Sequence, residues 1–159
     1  MHNLSRVIQM LLENKVEFVL VGGFAAVAHG SPLGTQDVDI CCPMTFENLS
    51  RLHEALKPVH LRFRERPDLA IDITPRFCDG LKNLYLKTDL CVLDCLGEIK
   101  GVGGYEEVSK HSTLIPLPSG DCPVIDIDTL IVAKKAMGRS RDLETVALLH
   151  QIKTRRQGS

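Results

Sequence analysis

The hydrophobic positions of the chain fall into short runs, and the spacing within each run predicts a helix or a strand. Residues 4–12 carry apolar side chains at helical spacing, which predicts an amphipathic helix. Residues 18–21 are continuously apolar and precede two glycines, as is typical of a buried strand that ends in a turn. The alanine-rich residues 24–28 predict a short helix, and residues 38–42 predict a second strand that stops at Pro43.

The rest of the chain shows the same mixture of element types. Thr45 is placed to cap one helix and Ser140 to cap the last one. The alternation of Arg62, Arg64 and Arg66 predicts an edge strand with one basic face. The other predicted elements are a strand pair at 84–86 and 90–96, a flexible loop at 101–104, a helix at 105–110, a hairpin of 113–117 and 122–125, and helices over 126–137 and from 140 onwards.

Composition restricts the functional classes without choosing one. The chain has 159 residues, 44% hydrophobic and 25% charged, which is ordinary for one globular domain. Its formal net charge is −1, so no overall electrostatic attraction to nucleic acid or membranes is expected. No apolar run reaches spanning length, and the first residues lack the apolar segment of a signal peptide. We therefore expect a cytoplasmic protein without a membrane partner; its oligomeric state cannot be read from these features.

The six cysteines show no CxxC spacing and no histidine at zinc-finger spacing. Cys41, Cys42, Cys91 and Cys95 lie within apolar, strand-like runs, where cysteine behaves as a small hydrophobic residue. We expect reduced, buried thiols with no disulfide and no structural zinc.

A pair of carboxylates, Asp37 and Asp39, is the most informative feature of the sequence. Side chains alternate along a strand, so both should point to one face while Val38 and Ile40 point into the core. Two such carboxylates repel each other, and Mg²⁺ would relieve the repulsion because it prefers hard oxygen ligands. The alternative is a polar turn in which neither carboxylate binds a metal.

Asp94 is a third candidate carboxylate. Counting by two along residues 90–96 places it on a face with Leu90, Val92 and Leu96, in the middle of an apolar stripe. A buried carboxylate needs a partner, a proton or a metal. Asp72 is the rival candidate, but its charged neighbours favour an ion-paired surface position.

Two further features are typical of phosphate binding. Gly22 and Gly23 separate a predicted strand from a predicted helix, and glycines let the backbone approach a ligand closely. Four cations, Lys134, Lys135, Arg139 and Arg141, surround a predicted helix junction and could balance a triphosphate. The alternatives are a simple tight turn and a solvated basic face, with Asp142 favouring the start of the next helix.

Taken together, these stretches resemble the nucleotidyltransferases with the DNA polymerase β-like fold. The resemblance covers about residues 18–150, and its downstream part is similar to a bacterial branch related to the nucleotidyltransferase-like toxins of abortive-infection systems. The residues that carry it are Gly22-Gly23, Ala25, His29-Gly30, Thr35, Asp37-Val38-Asp39, residues 93–99, Leu130-Ile131, Lys134, Arg139 and Arg141-Asp142.

The resemblance implies an α/β fold with a small mixed sheet, flanked by helices, in a single domain over residues 1–159. The core would span about residues 18–125 and a C-terminal helical segment about 126–157. It also implies an enzyme that uses two Mg²⁺, or Mn²⁺, to transfer an NMP from ATP or another NTP to an acceptor hydroxyl.

The resemblance also assigns roles to single residues. Asp37, Asp39 and Asp94 would be catalytic residues that hold the metals, with Asp94 beside the acceptor. The nucleotide would be bound by Gly22, Gly23, Thr35, Lys134 and Arg139. The alternative for Thr35 is to stabilise the turn. His29 could face the site, and its alternative is to cap a helix or pack in the core.

Two positions depart from the family pattern. Gly23 stands where many members have serine, and Leu33 stands where the related branch usually has arginine, so two phosphate or substrate contacts are missing. Two alternatives therefore stay open: a catalytically inactive binding module that keeps the fold, and one component of a toxin–antitoxin pair. The acceptor, which could be RNA such as a tRNA end, a protein or a small molecule, cannot be read from the sequence.

Overall fold

The computed structural model describes residues 2–158 of the chain. Its helices are α1 (His2–Glu13), α2 (Gly22–Ala28), α3 (Phe46–Leu56), α4 (Pro75–Cys78), α5 (Tyr105–Lys110), α6 (Ile127–Met137) and α7 (Ser140–Gln157). Its strands are β1 (Val19–Val21), β2 (Asp37–Cys41), β3 (Arg62–Phe63), β4 (Asn83–Lys87), β5 (Val92–Leu96), β6 (Glu98–Ile99), β7 (Gly103–Gly104), β8 (Ser112–Leu117) and β9 (Gly120–Ile125).

Within these residues, seven strands form one mixed sheet in the order β3-β4-β5-β2-β1-β9-β8. The β2–β5 and β1–β9 pairs are parallel, and the β1–β2, β3–β4, β4–β5 and β8–β9 pairs are antiparallel. Strands β6 and β7 form a separate antiparallel pair. The expected mixed sheet with C-terminal helices is therefore confirmed.

The core follows from the alternation of side chains along the central strands. Val38 and Ile40 of β2, and Leu93 and Cys95 of β5, are fully buried. Helices α1 and α3 pack against each other, and α2 contacts β1, β2 and α6. The buried face thus fixes the opposite face of β2 and β5 as the place where polar side chains can lie.

The helix starts show which capping predictions hold. Thr45 caps α3 by accepting a hydrogen bond from the backbone N–H of Asn48, as expected. Ser140, in contrast, is the first residue of α7, and Arg139 is the N-cap, so that prediction was wrong. Asp142 takes over the role, because its carboxylate accepts a bond from the Arg139 backbone N–H.

Two other elements differ from the expectation. The segment 101–104 was predicted to be a flexible loop, but Gly103–Gly104 forms a strand that pairs with Glu98–Ile99. The second strand begins at Asp37, one residue earlier than predicted. Between residues 2 and 158, no helix is long and apolar enough to cross a membrane.

Candidate active site

Three carboxylates lie on one face of the central sheet. Along β2, Asp37 is exposed, Val38 is buried and Asp39 is half-buried, as alternation predicts. The parallel register of β2 and β5 places Asp94 directly opposite Asp39. Directly opposed residues of neighbouring strands point to the same face, so the side chain of Asp94 lies on the face of the pair.

The electrostatics show that these groups interact. The pKa of Asp39 is raised from 3.8 to about 6, mainly by burial and then by the negative charges of Asp94 and Asp37. Lys134 and Arg64 oppose this rise in the pKa of Asp39 without cancelling it. The pKa of Asp94 is also raised, chiefly by burial, while the Arg64 guanidinium acts to lower it. For both groups, burial and the repulsion between carboxylates together outweigh the attraction of the nearby cations.

Asp94 has a partner, and its surroundings differ from the predicted apolar stripe. Its neighbours on the same face, Val92 and Leu96, are only half-buried, since the fully buried residues of β5 are Leu93 and Cys95. Arg64 Nη1 donates to both carboxylate oxygens of Asp94, at 2.9 Å and 3.1 Å. Of the three alternatives for Asp94, a partner, a proton or a metal, the structure shows a partner, which is Arg64.

The carboxylates of Asp37, Asp39 and Asp94 are suitable ligands for a divalent cation, but they are not arranged as a metal site. Asp37 and Asp39 offer hard carboxylate oxygens in a region of uncompensated negative charge, which is what Mg²⁺ requires. Yet among residues 2–158, no group of three or more His, Cys, Asp or Glu side chains is arranged so that it could hold a metal ion. Both oxygens of the third carboxylate, Asp94, already accept hydrogen bonds from Arg64.

The turn after β1 brings the backbone against Asp39. Gly22 adopts a left-handed conformation, with φ of 69°. A Cβ atom placed on Gly22 would overlap Asp39 Oδ2, so only glycine allows this approach. Gly23 faces Thr35 instead, where an added Cβ would lie 3.2 Å from Thr35 Oγ1. Thr35 Oγ1 accepts a bond from the Asp37 backbone N–H at 3.3 Å, which matches its alternative role in stabilising the turn.

A cavity of about 270 Å³ connects the carboxylate face with the predicted cations. Its lining includes Gly22, Asp39, Lys134 and Arg139, whereas the side chains of Asp37 and Asp94 lie outside it. Lys134 and Arg139 both contact Asp142, which is fully buried. Lys134 Nζ lies 3.4 Å from Asp142 Oδ1, and Arg139 Nε lies 2.6 Å from Asp142 Oδ2. Asp142 thus holds the two cations at the rim.

Two predicted rivals are placed elsewhere. Asp72 is exposed and lies on no strand, and no ion pair joins it to Arg76 in the part of the chain that the structure describes. His29 is buried at the end of α2, where its Nε2 lies 2.7 Å from the backbone carbonyl oxygen of Ile125. His29 is therefore a capping and packed residue, away from the carboxylates.

Sequence reasoning missed two residues that shape the site. The sequence pattern places Arg64 on a basic edge strand, whereas β3 ends at Phe63 and Arg64 is the partner that a buried carboxylate can require. Asp142 was treated as a helix-start residue, although its position eight residues after Lys134 and three after Arg139 allowed it to bind both. In each case the sequence contained a charged side chain without an assigned partner: Asp94 for Arg64, and Lys134 with Arg139 for Asp142.

Comparison with known structures shows the fold. Lincosamide antibiotic adenylyltransferase LnuA, solved with lincomycin bound, has a TM-score of 0.65 at 14% identity, over 95% of this chain and 96% of that one. A protein from Thermotoga maritima assigned to the nucleotidyltransferases has a TM-score of 0.57 at 17% identity, over 91% and 88%. Antibiotic-resistance factor ANT(2'')-Ia has a TM-score of 0.59 at 12% identity, over 99% and 89%.

The chain has the fold of these nucleotidyltransferases, which confirms the fold implied by the sequence. No protein-family model matches the chain, and neither does any curated protein sequence. The toxin branch, the site residues and the metal stay predictions.

Proposed function

We propose that the protein is a nucleotidyltransferase that moves an NMP from an NTP to an acceptor hydroxyl. The observation that carries the proposal is the register of β2 and β5, which opposes Asp39 and Asp94 beside the close turn at Gly22. Carboxylates that share one face, next to a cavity rimmed by cations, are suited to phosphoryl transfer, because the reaction depends on positioning and charge stabilisation.

Each group has a separate task in this proposal. The backbone of Gly22 and the cations Lys134 and Arg139 bind the phosphates at the cavity. Asp37 and Asp39 would hold Mg²⁺, which supplies charge neutralisation at the phosphates and activation of the acceptor hydroxyl. Asp94 would complete the metal site beside the acceptor hydroxyl and accept the proton of that hydroxyl. Asp94 does not line the cavity, so we place the acceptor outside the phosphate-binding cavity, beside Asp94.

The solved structures narrow the choice of acceptors to try first. LnuA was solved with lincomycin, and ANT(2'')-Ia was solved with adenylyl-2''-tobramycin at a TM-score of 0.58 and 11% identity. We therefore place small hydroxylated antibiotics ahead of tRNA and protein acceptors in the test. The near-neutral formal charge of −1 also favours a small acceptor over RNA.

The test incubates the protein with Mg²⁺, each α-labelled NTP and a panel of lincosamides, aminoglycosides and tRNA. We expect label transfer to one acceptor, and a loss of at least about a hundredfold in rate for Asp39→Asn, which removes one charge and keeps the shape. Asp72→Asn is the matched control, since it removes the same charge from an exposed position off the sheet. Equal rates for both variants and the wild type would contradict the proposal.

A nucleotide-binding module without turnover is the second candidate. The Arg64–Asp94 ion pair favours it, because a carboxylate already held by a cation is less available to a metal or a proton. In that case Mg²⁺ with NTP would stabilise the fold by mass action, about 2.7 kcal/mol at a hundredfold excess over the dissociation constant. No acceptor would then become labelled.

A further inference from the structure

Four contacts hold Arg64 beside Asp94, and one of them is an ion pair of its Nε with Glu65 Oε1 at 3.7 Å. Its Nη1 bridges the two carboxylate oxygens of Asp94. Its guanidinium carbon lies 4.9 Å from the centre of the Tyr85 ring, and Tyr85 is the residue of β4 directly opposite Asp94. Its backbone N–H donates to the Tyr85 carbonyl oxygen at 3.0 Å. The ion pair, the stacked ring and the backbone bond make one unit rather than an incidental surface contact.

The position of this unit closes one approach to Asp94. A nitrogen that contacts both oxygens occupies the side between them, where a cation could bind both at once. The positively charged guanidinium also repels an incoming divalent cation. To bind that cation, Asp94 would have to give up its ion pair with Arg64. The pair is only partly screened, since the Arg64 and Asp94 side chains are 33% and 19% exposed.

The guanidinium can nevertheless leave without unfolding the sheet. Arg64 follows the last residue of the edge strand β3, and residues 64–74 form neither helix nor strand. Its loss from Asp94 breaks no ladder bond of the central strands. Movement of the Arg64 side chain away from Asp94 would therefore leave the sheet intact.

We propose that Arg64 is a built-in competitor for the third carboxylate, so that divalent cations reach Asp94 only by displacing the guanidinium. The proposal rests on the proposed function, because it takes Asp94 to be part of the metal-binding face. It makes Arg64 a residue that sets metal affinity rather than one that positions Asp94 for the metal. The two roles predict opposite signs when the guanidinium is removed.

The experiment measures Mn²⁺ binding to the nucleotide-free protein by calorimetry, with circular dichroism to check the fold. We expect Arg64→Gln to tighten Mn²⁺ binding about fivefold, the order expected when one unit charge is removed near a divalent cation at a half-exposed site. Tyr85→Leu, which frees the guanidinium from its ring, should tighten binding less and provides a second variant. Arg62→Gln is the control, because Arg62 pairs with Asp89 and should leave the affinity unchanged.

The outcomes separate the two proposals. Tighter binding in Arg64→Gln that disappears in Arg64→Gln/Asp94→Asn supports the competition. Unchanged or weaker binding in Arg64→Gln, with Mn²⁺ still bound by the wild type, overturns the competition alone. If neither the wild type nor any variant binds Mn²⁺, with or without NTP, the competition and the proposed function are both overturned.

Discussion

Replacing Asp39 with asparagine should stabilise the metal-free protein at neutral pH. The charged Asp39 carboxylate is costly in the fold because it is partly buried and faces the charges of Asp94 and Asp37. Asparagine keeps the shape and removes the charge, so the cost disappears. Most substitutions destabilise a protein, whereas functional sites often hold charges at a cost in stability, so a gain in stability would be diagnostic of such a site.

The size of the gain follows from the pKa. The pKa of Asp39 in the fold is about 6, against 3.8 for the free group. A carboxyl group whose pKa is raised by folding contributes stability that is fully present below about 3.8 and is lost as pH rises through about 6. Each pKa unit corresponds to about 1.4 kcal/mol. Linkage then gives a cost of about 1 kcal/mol at pH 4.5 and about 3 kcal/mol at pH 7.5.

The assay is urea denaturation of the wild type and Asp39→Asn at pH 4.5 and pH 7.5, with a chelator present. We expect the stability gain of the variant to be about 2 kcal/mol larger at pH 7.5 than at pH 4.5. Asp72→Asn should change the free energy of unfolding by less than about 0.5 kcal/mol at either pH, because its side chain is exposed. A loss of stability in Asp39→Asn that is equal at both pH values would refute the reasoning.

Three further predictions test the surroundings of the site. Gly22→Ala should lower the free energy of unfolding by about 1–3 kcal/mol in urea denaturation, because the left-handed backbone would be strained and the added methyl group would overlap Asp39. Gly34→Ala is the control and should have little effect, because the space around Gly34 is open. Asp142→Ala should lower the free energy of unfolding by about 2–4 kcal/mol in the same assay, because it removes a helix cap and leaves the largely buried Lys134 without its partner. The control Asp128→Ala, at an exposed position, should lower it by less than about 1 kcal/mol. Burial raises the pKa of Cys41 and Cys122 to about 12, so both should react slowly with a thiol reagent at pH 8, and all six cysteines should react after unfolding without reductant.

Local rules were sufficient to predict the pair of carboxylates and the elements around it. The alternation that placed Asp37 and Asp39 on one face needs only the geometry of a strand, and the burial of Val38 and Ile40 agrees with it. The turn at Gly22 was also visible, because two glycines after a buried strand are a local signal. A local pattern could not show that Gly22 contacts Asp39, since that contact depends on the pairing of β1 with β2.

Long-range pairing decided the parts that the sequence could not predict. Arg64 and Asp94 are thirty positions apart, and they meet only because β3, β4 and β5 are neighbours in the sheet. Counting by two along β5 identified the face of Asp94 correctly but assigned it the wrong surroundings. The buried face of that strand is the one with Leu93 and Cys95, and hydrophobicity alone did not distinguish the two faces because Val92 and Leu96 are also apolar.

The balance of charge around Asp39 suggests an order of binding. Arg64 is already paired with Asp94, and Lys134 is already paired with Asp142, so neither is free to compensate Asp39 fully. An NTP arriving alone would add several negative charges beside a carboxylate that already resists ionisation, and the repulsion would oppose binding. A divalent cation changes the sign of this interaction, because it attracts both the carboxylates and the phosphates. If the protein is the proposed nucleotidyltransferase, the nucleotide and the cation should therefore bind together, and displacement of the Arg64 guanidinium would allow Asp94 to bind the cation as well.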